Sequence, residues 1–214
     1  MIREFHHISL RDRNSFGVEQ QAARLAEFDT ADDLRAIFAG GAPAEWCVLS
    51  GGNNTLFTRD YDGLLLTPAA RGIAVTKDEG DRVYVRAEAG VEWDDLVEWA
   101  VERGLWGIEN LSLIPGKAGI PGTVGASVVQ NIGAYGCEAK DVIERVEMFC
   151  VETGTMLTLD AAHCGFGYRE SVFKHTLRGR VVITAVELRL SRTPQPRLDY
   201  GDVAREVEAR GGVS

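Results

Sequence analysis

Glycine residues recur at short intervals between residues 107 and 136, in a segment that carries few charges. They are Gly107, Gly116, Gly119, Gly122, Gly125, Gly133 and Gly136. Because glycine has no side chain, backbone N–H groups in such a segment can approach a phosphate or a flat ring closely. A plain surface loop is the alternative, but it would be expected to carry Ser, Asp and Lys, whereas this segment is rich in Leu, Ile and Val. The composition therefore predicts a bed for a ligand.

A second glycine-containing segment, residues 50–57, directly follows the apolar run 46–49, which predicts a buried strand. Gly51 and Gly52 can expose consecutive N–H groups, and the two asparagines that follow tolerate left-handed backbone conformations. Such a loop at the end of a strand is a candidate phosphate cradle. An ordinary hairpin turn is equally compatible with these residues, so both interpretations stay open.

Two common nucleotide-binding motifs do not fit the longer segment. A Walker-type phosphate loop needs a glycine five residues before Gly116-Lys117 and Ser or Thr after it, but Leu111 and Ala118 stand there. A Rossmann fingerprint needs G-x-G-x-x-G, whereas the spacing from Gly116 is G-x-x-G-x-x-G-x-x-G. A ligand would therefore be held in a different way.

Composition narrows the class of protein. The chain has 214 residues, a net charge of −9 and a pI near 5.0. This length predicts one domain or two small ones, and the acidic balance argues against a nucleic-acid partner. The sequence has no export signal and no apolar run of about 18 residues, so we expect a cytoplasmic protein without a membrane partner. Four cysteines and four histidines lack metal-binding spacing, which predicts reduced, buried thiols and no metal site.

Periodic apolar residues predict the elements that would position these loops. Helices are expected over residues 30–38, behind the capping residue Thr30, and over residues 92–103. Strands are expected over residues 46–49, 63–67, 82–88, 142–152, 156–160 and 180–190. The segment 14–17 predicts a turn that packs Phe16 against an apolar surface. Residues 165–174 place Arg169 beside aromatic side chains, and the whole pattern predicts an α+β fold.

Six motifs occur in the order found in the UDP-N-acetylenolpyruvoylglucosamine reductases, also called UDP-N-acetylmuramate dehydrogenases. They are residues 14–17 (NSFG), 51–57 (GGNNTLF), 107–116 (GIENLSLIPG), 130–136 (QNIGAYG), 166–174 (FGYRESVFK) and 198–202 (LDYGD). The chain resembles this family over nearly all of its own length. The resemblance covers about the first two thirds of the family's full enzyme.

This resemblance implies a fold of the vanillyl-alcohol-oxidase (PCMH) type, in which two α+β subdomains cradle FAD and a third domain binds substrate. We therefore expect FAD-binding subdomain 1 over residues 1–68 and FAD-binding subdomain 2 over residues 69–193. Residues 194–214 are expected to be a linker and the truncated start of the substrate domain. The C-terminal substrate domain itself is expected to be missing.

The resemblance also implies the functional residues. Arg169 matches the family's catalytic arginine, and Tyr135 and Tyr200 match positions that bind substrate. The residues that match FAD-contacting positions are Gly51, Gly52, Asn53, Asn54, Leu56, Ile114, Pro115, Gly116, Gly122, Thr123, Gly125, Ala126, Asn131, Gly133, Ala134 and Ile183. The family carries one Ile-Pro-Gly, whereas residues 114–119 and 120–125 look like two copies of one segment. Both copies are retained as candidates.

The implied chemistry is a hydride relay. By resemblance, NADPH reduces non-covalently bound FAD, and the enolpyruvyl ether of UDP-N-acetylglucosamine then accepts hydride to give UDP-N-acetylmuramate for peptidoglycan synthesis. Arg169 would stabilise negative charge that develops at the substrate carboxylate. The family's proton-donating serine and a glutamate lie in the substrate domain, so this chain is expected not to complete turnover. The alternatives are a non-catalytic FAD-binding remnant and a sugar oxidase of the same fold.

Overall fold

The first subdomain is built on a four-stranded sheet with the order β1-β2-β4-β3. The computed structural model describes residues 2–112, 122–194, 196–198, 201 and 203–209. The strands of this sheet are β1 (Arg3–Ser9), β2 (Gln21–Phe28), β3 (Trp46–Val48) and β4 (Tyr61–Pro68). β1 and β2 are antiparallel, while β4 runs parallel to both β2 and β3. The sequence pattern had not indicated β1 and β2.

Helix α1 (Ala31–Ile37) follows β2 and confirms the helix predicted behind Thr30. The N–H of Asp33 donates to Thr30 Oγ1 at 3.1 Å, and the N–H of Thr30 donates to Asp33 Oδ2 at 3.1 Å. This reciprocal capping satisfies N–H groups that the first turn of a helix leaves free. Leu34 on the inner face is fully buried, so the helix covers one face of the sheet.

Two expectations for the first subdomain were wrong. β3 lies at the edge of the sheet, and Cys47 and Val48 are exposed rather than buried. Phe16 is 58% exposed, so the predicted turn does not pack it into an apolar surface. Both errors have the same cause, because apolar character alone does not distinguish an edge or surface position from an interior one.

The second subdomain contains a five-stranded antiparallel sheet with the order β10-β9-β11-β6-β5. Its strands are β5 (Ile73–Glu79), β6 (Arg82–Glu88), β9 (Ile143–Cys150), β10 (Thr155–Asp160) and β11 (Val181–Ser191), and the short pair β7 (Gly133–Ala134) and β8 (Cys137–Glu138) forms a separate ribbon. In β6 the alternation predicted from sequence is confirmed, since Val83, Val85 and Ala87 are buried.

Two helices pack with this sheet, and a further helix lies beyond it in the chain. α2 (Trp93–Val101) confirms the predicted helical face, with Trp93, Leu96 and Ala100 buried. α3 (Val124–Val129) lies inside the glycine-rich segment, for which a loop-like bed was expected. α4 (Val203–Ala209) follows the second subdomain. The glycine pattern had therefore not indicated helix α3.

Three hydrophobic clusters organise the packing of the described residues. One, which includes Leu25 and Leu65, lies within the first subdomain. Of the remaining two, the larger lies between the five-stranded sheet and helices α2 and α3. The other, which we call the shared core, combines side chains of the first subdomain with Phe149 and Val182 of the second; the first subdomain contributes Ala26, Phe28, Leu34, Phe38, Leu64 and Leu66. Phe38 stacks on Phe149 with ring centroids 6.1 Å apart. The shared core fixes the two sheets relative to each other.

The structure also bears on cysteines, metals and membranes. All four cysteines are free; Cys137 and Cys164 are buried, whereas Cys47 is exposed, contrary to expectation. Within the described ranges, no group of three or more His, Cys, Asp or Glu side chains is placed to hold a metal ion. None of the helices in that part of the chain is long and apolar enough to cross a membrane.

Candidate functional site

The two glycine-containing segments meet at the junction of the subdomains. Residues 50–55, the first glycine loop, follow β3, and residues 122–123 lead into α3. Ser50 Oγ and Thr123 Oγ1 share a hydrogen bond of 2.8 Å. A Cβ placed on Gly51 would lie 4.0 Å from the Cα of Gly122. The structure thus brings together two loops that are about 70 residues apart in sequence.

Glycine is required at two positions of this junction. Gly52 has φ +66°, and a Cβ there would lie 1.9 Å from the carbonyl oxygen of Arg13. At Gly125 a Cβ would lie 2.8 Å from the Cβ of Ala89, because the first turn of α3 rests directly on the backbone that follows β6. Both glycines therefore allow backbone segments to approach closely.

The predicted cofactor residues at the start of α3 are largely used by the protein itself. The N–H groups of Val124 and Gly125 donate to the carbonyls of Val91 and Ala89 at 2.8 and 2.9 Å. Thr123 is buried and its hydroxyl is bonded to Ser50, while Ala126 is half-buried. The N–H of Gly125 thus serves packing within the protein, and the expected contact of Gly125 with a cofactor stays a prediction.

Two orphaned hydroxyls lie near the same junction. Among the described residues, Thr67 Oγ1 and Thr184 Oγ1 are the buried side-chain oxygens without a hydrogen-bond partner. Both threonines lie close to residues 89–90, which follow β6. The carbonyl of Thr184 accepts the N–H of Ala89 at 2.8 Å. Thr67 precedes Pro68, whose carbonyl oxygen would lie 2.6 Å from a Cβ placed on Gly90. Since buried polar groups are normally paired, these hydroxyls are available to a bound polar ligand. Together with the glycine loops they fit a nucleotide-type cofactor.

The second part of the site surrounds Arg169, at the other end of α3. Ser171 Oγ donates to the carbonyl of Val129, the last residue of α3, at 2.5 Å. At about 1.5 Å per residue, the six residues of α3 separate this contact from the Ser50–Thr123 contact by about 9 Å. One short helix therefore sets the spacing between the first glycine loop and the arginine segment.

Backbone strain is concentrated around Arg169. Four non-glycine residues of the described chain have a positive φ, and three of them lie here: Asn131 at 44°, Tyr135 at 49° and Arg169 at 54°. Such conformations cost about 1–3 kcal/mol each and persist only where surrounding contacts impose them. The Arg169 guanidinium donates to the carbonyl of Gly133 at 3.1 Å, and Lys174 Nζ donates to the Arg169 carbonyl at 2.7 Å.

Asn131 joins three segments beneath Arg169. Its side chain is 1% exposed; Nδ2 donates to the carbonyl of Gly167 at 2.9 Å and to Glu138 Oε2 at 3.3 Å, and Oδ1 accepts the N–H of Lys140 at 2.9 Å. Both amide hydrogens are therefore used within the protein. The side chain of Asn131 thus holds the arginine segment, and its expected contact with the cofactor stays a prediction.

The carboxylates around Arg169 form ion pairs with other side chains, whereas Arg169 itself forms none with the described residues. The ammonium of Lys140 pairs with Glu138 and lowers the pKa of that carboxyl, and Arg169 lowers it further. His175 donates to Glu170 at 2.9 Å and lowers the pKa of Glu170. Arg169 itself is exposed and forms no ion pair with any residue that the structure describes. Its guanidinium is available to an anionic ligand.

The remaining predicted residues have the following places. Gly133 and Ala134 form β7, and Tyr135 follows them, all three half-buried. In the first glycine loop Gly51 and Asn54 are exposed and Asn53 is half-buried, while Leu56 just beyond it is exposed. Ile183 is half-buried in β11 beside the orphaned Thr184. Ile114, Pro115, Gly116 and Tyr200 lie outside the described residues.

Sequence reasoning missed Thr67 and Thr184. Ser50 was included in the candidate segment 50–57, but its bond to Thr123 was not predicted. No local pattern singles out the two threonines, because a β-branched residue in a strand is ordinary.

Comparison with known proteins shows the family to which the chain belongs. The family model described as "FAD binding domain" matches residues 22–160. The chain is 45% identical over 211 residues to the UDP-N-acetylenolpyruvoylglucosamine reductase of Chromobacterium violaceum, an alignment that covers 95% of this chain and 59% of the relative. It is 43% identical over 207 residues to the reductase of Bacteroides fragilis strain YCH46, covering 96% and 60%. The chain thus spans about three fifths of the length of these relatives.

Solved structures agree on the fold. The chain is similar to UDP-N-acetylenolpyruvylglucosamine reductase from Thermus caldophilus, with TM-score 0.69, 28% identity and coverage of 98% of this chain and 69% of that one. A solvent-stable cholesterol oxidase gives TM-score 0.60 at 13% identity, with coverage of 89% and 38%, which is a likeness of fold alone. The predicted vanillyl-alcohol-oxidase-type fold of α+β subdomains is confirmed. Since the family model matches well over half of the chain, the chain belongs to the FAD binding domain family.

Proposed function

We propose that this chain is the FAD-holding part of a cytoplasmic UDP-N-acetylenolpyruvoylglucosamine reductase of peptidoglycan precursor synthesis. The observation that carries the proposal is the hydrogen bond between Ser50 and Thr123, which joins the two glycine-containing segments across the subdomains. Identity of 43–45% to proteins of that name supports the choice of reductase. We also propose to divide the chain at residues 68 and 193, because β4 ends at Pro68 and β11 ends at Ser191.

The groups that would hold FAD lie along the junction. The backbone N–H groups of the first glycine loop suit the diphosphate, since consecutive N–H groups bind anions well. The hydroxyls of Thr67 and Thr184 offer polar contacts in a buried setting, and Ile183 offers an apolar one. A bound flavin supplies hydride chemistry between a nicotinamide donor, here NADPH, and an acceptor. The binding is non-covalent.

Arg169 would bind the carboxylate of the enolpyruvyl sugar nucleotide. Its guanidinium is exposed and free of ion pairs among the described residues, and its position is fixed by the bond to the Gly133 carbonyl. Negative charge that develops on the carboxylate side of the substrate is stabilised by such a fixed cation, an effect of about 3 kcal/mol for one well-placed donor. Tyr135 lies on the same ribbon and would contact substrate, as would Tyr200.

Cofactor binding is tested by titrating the purified chain with FAD and following flavin fluorescence. We expect quenching and a yellow protein that releases free FAD on acid precipitation. Gly52→Ala should abolish binding, because its Cβ would lie 1.9 Å from the Arg13 carbonyl oxygen. Gly154→Ala is the matched control, since Gly154 has nearly the same φ, +68° against +66°, but open space around it. No quenching by the parent chain in excess FAD would refute the proposal.

The role of Arg169 is tested in a chimaera that joins this chain to the C-terminal part of the Chromobacterium violaceum relative. Under anaerobic conditions, Arg169→Ala should slow flavin reoxidation by the enolpyruvyl sugar nucleotide about 10²-fold, with FAD content unchanged. Arg178→Ala, at an exposed arginine of the neighbouring loop, is the control and should react at the parent rate. Equal rates for Arg169→Ala and the parent would reject the assignment.

A further inference from the structure

The N-terminal turn formed by residues 14–17 has no role in the proposed function, yet it lies directly against the first glycine loop. The N–H of Ser15 donates to the carbonyl of Gly52 at 3.3 Å, and Ser15 Oγ donates to the carbonyl of Asn53 at 2.9 Å. The carbonyl of Arg13 occupies the space where a side chain on Gly52 would be. The turn and the loop are therefore in contact along two successive peptide groups.

A buried side chain holds the turn in shape. Asn14 is 7% exposed; its Nδ2 donates to the carbonyls of Leu10 and Val18 at 2.6 and 3.1 Å, and its Oδ1 accepts the N–H of Val18 at 3.2 Å. The N–H of Gly17 donates back to the carbonyl of Asn14 at 3.1 Å. Ser15 is thus presented to the loop from a turn that is fixed independently of the loop.

The contacts of Ser15, together with the bond that the N–H of Thr55 donates to the Gly52 carbonyl at 3.4 Å, determine where the loop's N–H groups point. In a planar trans peptide the carbonyl of one residue and the N–H of the next point in opposite directions. Because Ser15 holds the carbonyls of Gly52 and Asn53, the N–H groups of Asn53 and Asn54 face away from the turn. Neither N–H donates to an acceptor among the described residues. Two successive free N–H groups with a common direction form an anion-binding concavity.

We propose that Ser15 is a cofactor-positioning residue, which orients the N–H groups of Asn53 and Asn54 toward the diphosphate of FAD. The inference rests on the proposed function, because it takes FAD as the ligand of the first glycine loop. Ser15 acts through the loop and does not itself need to contact the cofactor. Its hydrogen bonds lie at an exposed position, so they contribute to loop order more than to global stability.

The test compares four forms of the full chain: the parent, Ser15→Ala, Ser15→Thr and Ser9→Ala. Ser9→Ala is the matched control, since Ser9 is also an exposed serine of the first subdomain but its hydroxyl donates to Glu19. In the FAD-free chain, ¹⁵N relaxation measures the order parameters of residues 52–55. We expect these to fall from about 0.85 towards 0.6 in Ser15→Ala and to stay unchanged in Ser9→Ala.

The dissociation constant for FAD is then measured by fluorescence titration. Removal of one oriented hydrogen bond should raise it about threefold to tenfold in Ser15→Ala. Ser15→Thr retains the hydroxyl and should restore both the order parameters and the affinity. The unfolding temperature should be the same in all four forms, which separates loop positioning from general damage.

Equal FAD affinity in the parent and Ser15→Ala overturns the inference, even if the loop becomes more mobile. Unchanged order parameters in Ser15→Ala overturn the inference as well, since Ser15 would then not order the first glycine loop. An equal loss of affinity in Ser9→Ala has the same consequence. If no form quenches flavin fluorescence, the proposed function fails and this inference fails with it. The parent chain distinguishes the two failures, because only failure of the proposed function abolishes its quenching.

Discussion

Replacement of Asn131 by alanine should destabilise the chain by about 3 kcal/mol. The substitution leaves the N–H of Lys140 without its partner, which costs about 1 kcal/mol or more. It also removes the bonds that Asn131 donates to Glu138 and to the carbonyl of Gly167, which keeps the N–H of Glu170 at 3.1 Å; these two lost bonds cost about 1 kcal/mol together. Alanine also tolerates φ of 44° less well than asparagine does, which adds about 1 kcal/mol. For a chain of this length, 3 kcal/mol corresponds to a fall of about 6–12 °C in the unfolding temperature.

Urea unfolding followed by tryptophan fluorescence measures this loss. Asn110→Ala is the control, because the Asn110 side chain donates to the Arg197 carbonyl at an exposed position and otherwise bonds the Cys137 thiol, which is a weak partner; the substitution should cost less than about 1 kcal/mol. Asn131→Gly removes the same hydrogen bonds but relieves the backbone conformation, so it should be less damaging than Asn131→Ala. A change below about 0.5 kcal/mol in Asn131→Ala would refute the role assigned to this side chain.

Two further predictions concern α3 and acid stability. Gly125→Ala should destabilise the chain by about 1–3 kcal/mol and weaken FAD binding, because the new Cβ would lie 2.8 Å from that of Ala89. Gly40→Ala is the control, since a Cβ on Gly40 meets open space. Equal urea midpoints for the two variants would contradict the packing role of Gly125. The pKa of Glu138 is lowered from its usual 4.5, so its contribution to stability is present above about pH 4.5 and is lost as the pH falls below that value. Urea midpoints measured from pH 7 to 3.5 should fall less steeply in Glu138→Gln, and identical slopes would count against the prediction.

The sequence contained the elements with strong local signals. The strict alternation of β6, the apolar face of α2 and the capping residue Thr30 each specify their element within a few residues, and all three appear in the structure. The glycine loops and Arg169 also stood out, because glycine spacing and an arginine among aromatics are visible without knowledge of the fold. These local signals did not indicate how the segments are arranged relative to one another in the folded chain.

Helix α3 and the contacts of Ser15 illustrate why the rest was hidden. β-branched Val124, Val128 and Val129 with Gly125 form a poor helix by intrinsic propensity. The helix exists because tertiary contacts use its first N–H groups and bury Val124 and Val128 completely. The bond from Ser15 to Asn53 joins residues 38 positions apart, which no local pattern contains. Sequence thus pointed to candidate chemical groups, while the packing that orients them depends on long-range contacts.

The shared core between the two sheets has a consequence for how the chain unfolds. Phe149 and Val182 complete a cluster whose other buried members, among them Phe28 and Leu66, belong to the first subdomain. The first sheet loses part of its hydrophobic interior when the second subdomain is lost, whereas the larger cluster between the five-stranded sheet and helices α2 and α3 lies wholly within the second subdomain. The first subdomain is therefore the part that depends on its neighbour. We expect a single cooperative heat-absorption peak in calorimetry, and swapping one sheet for that of a distant relative should fail unless Phe149, Val182 and their partners are exchanged together.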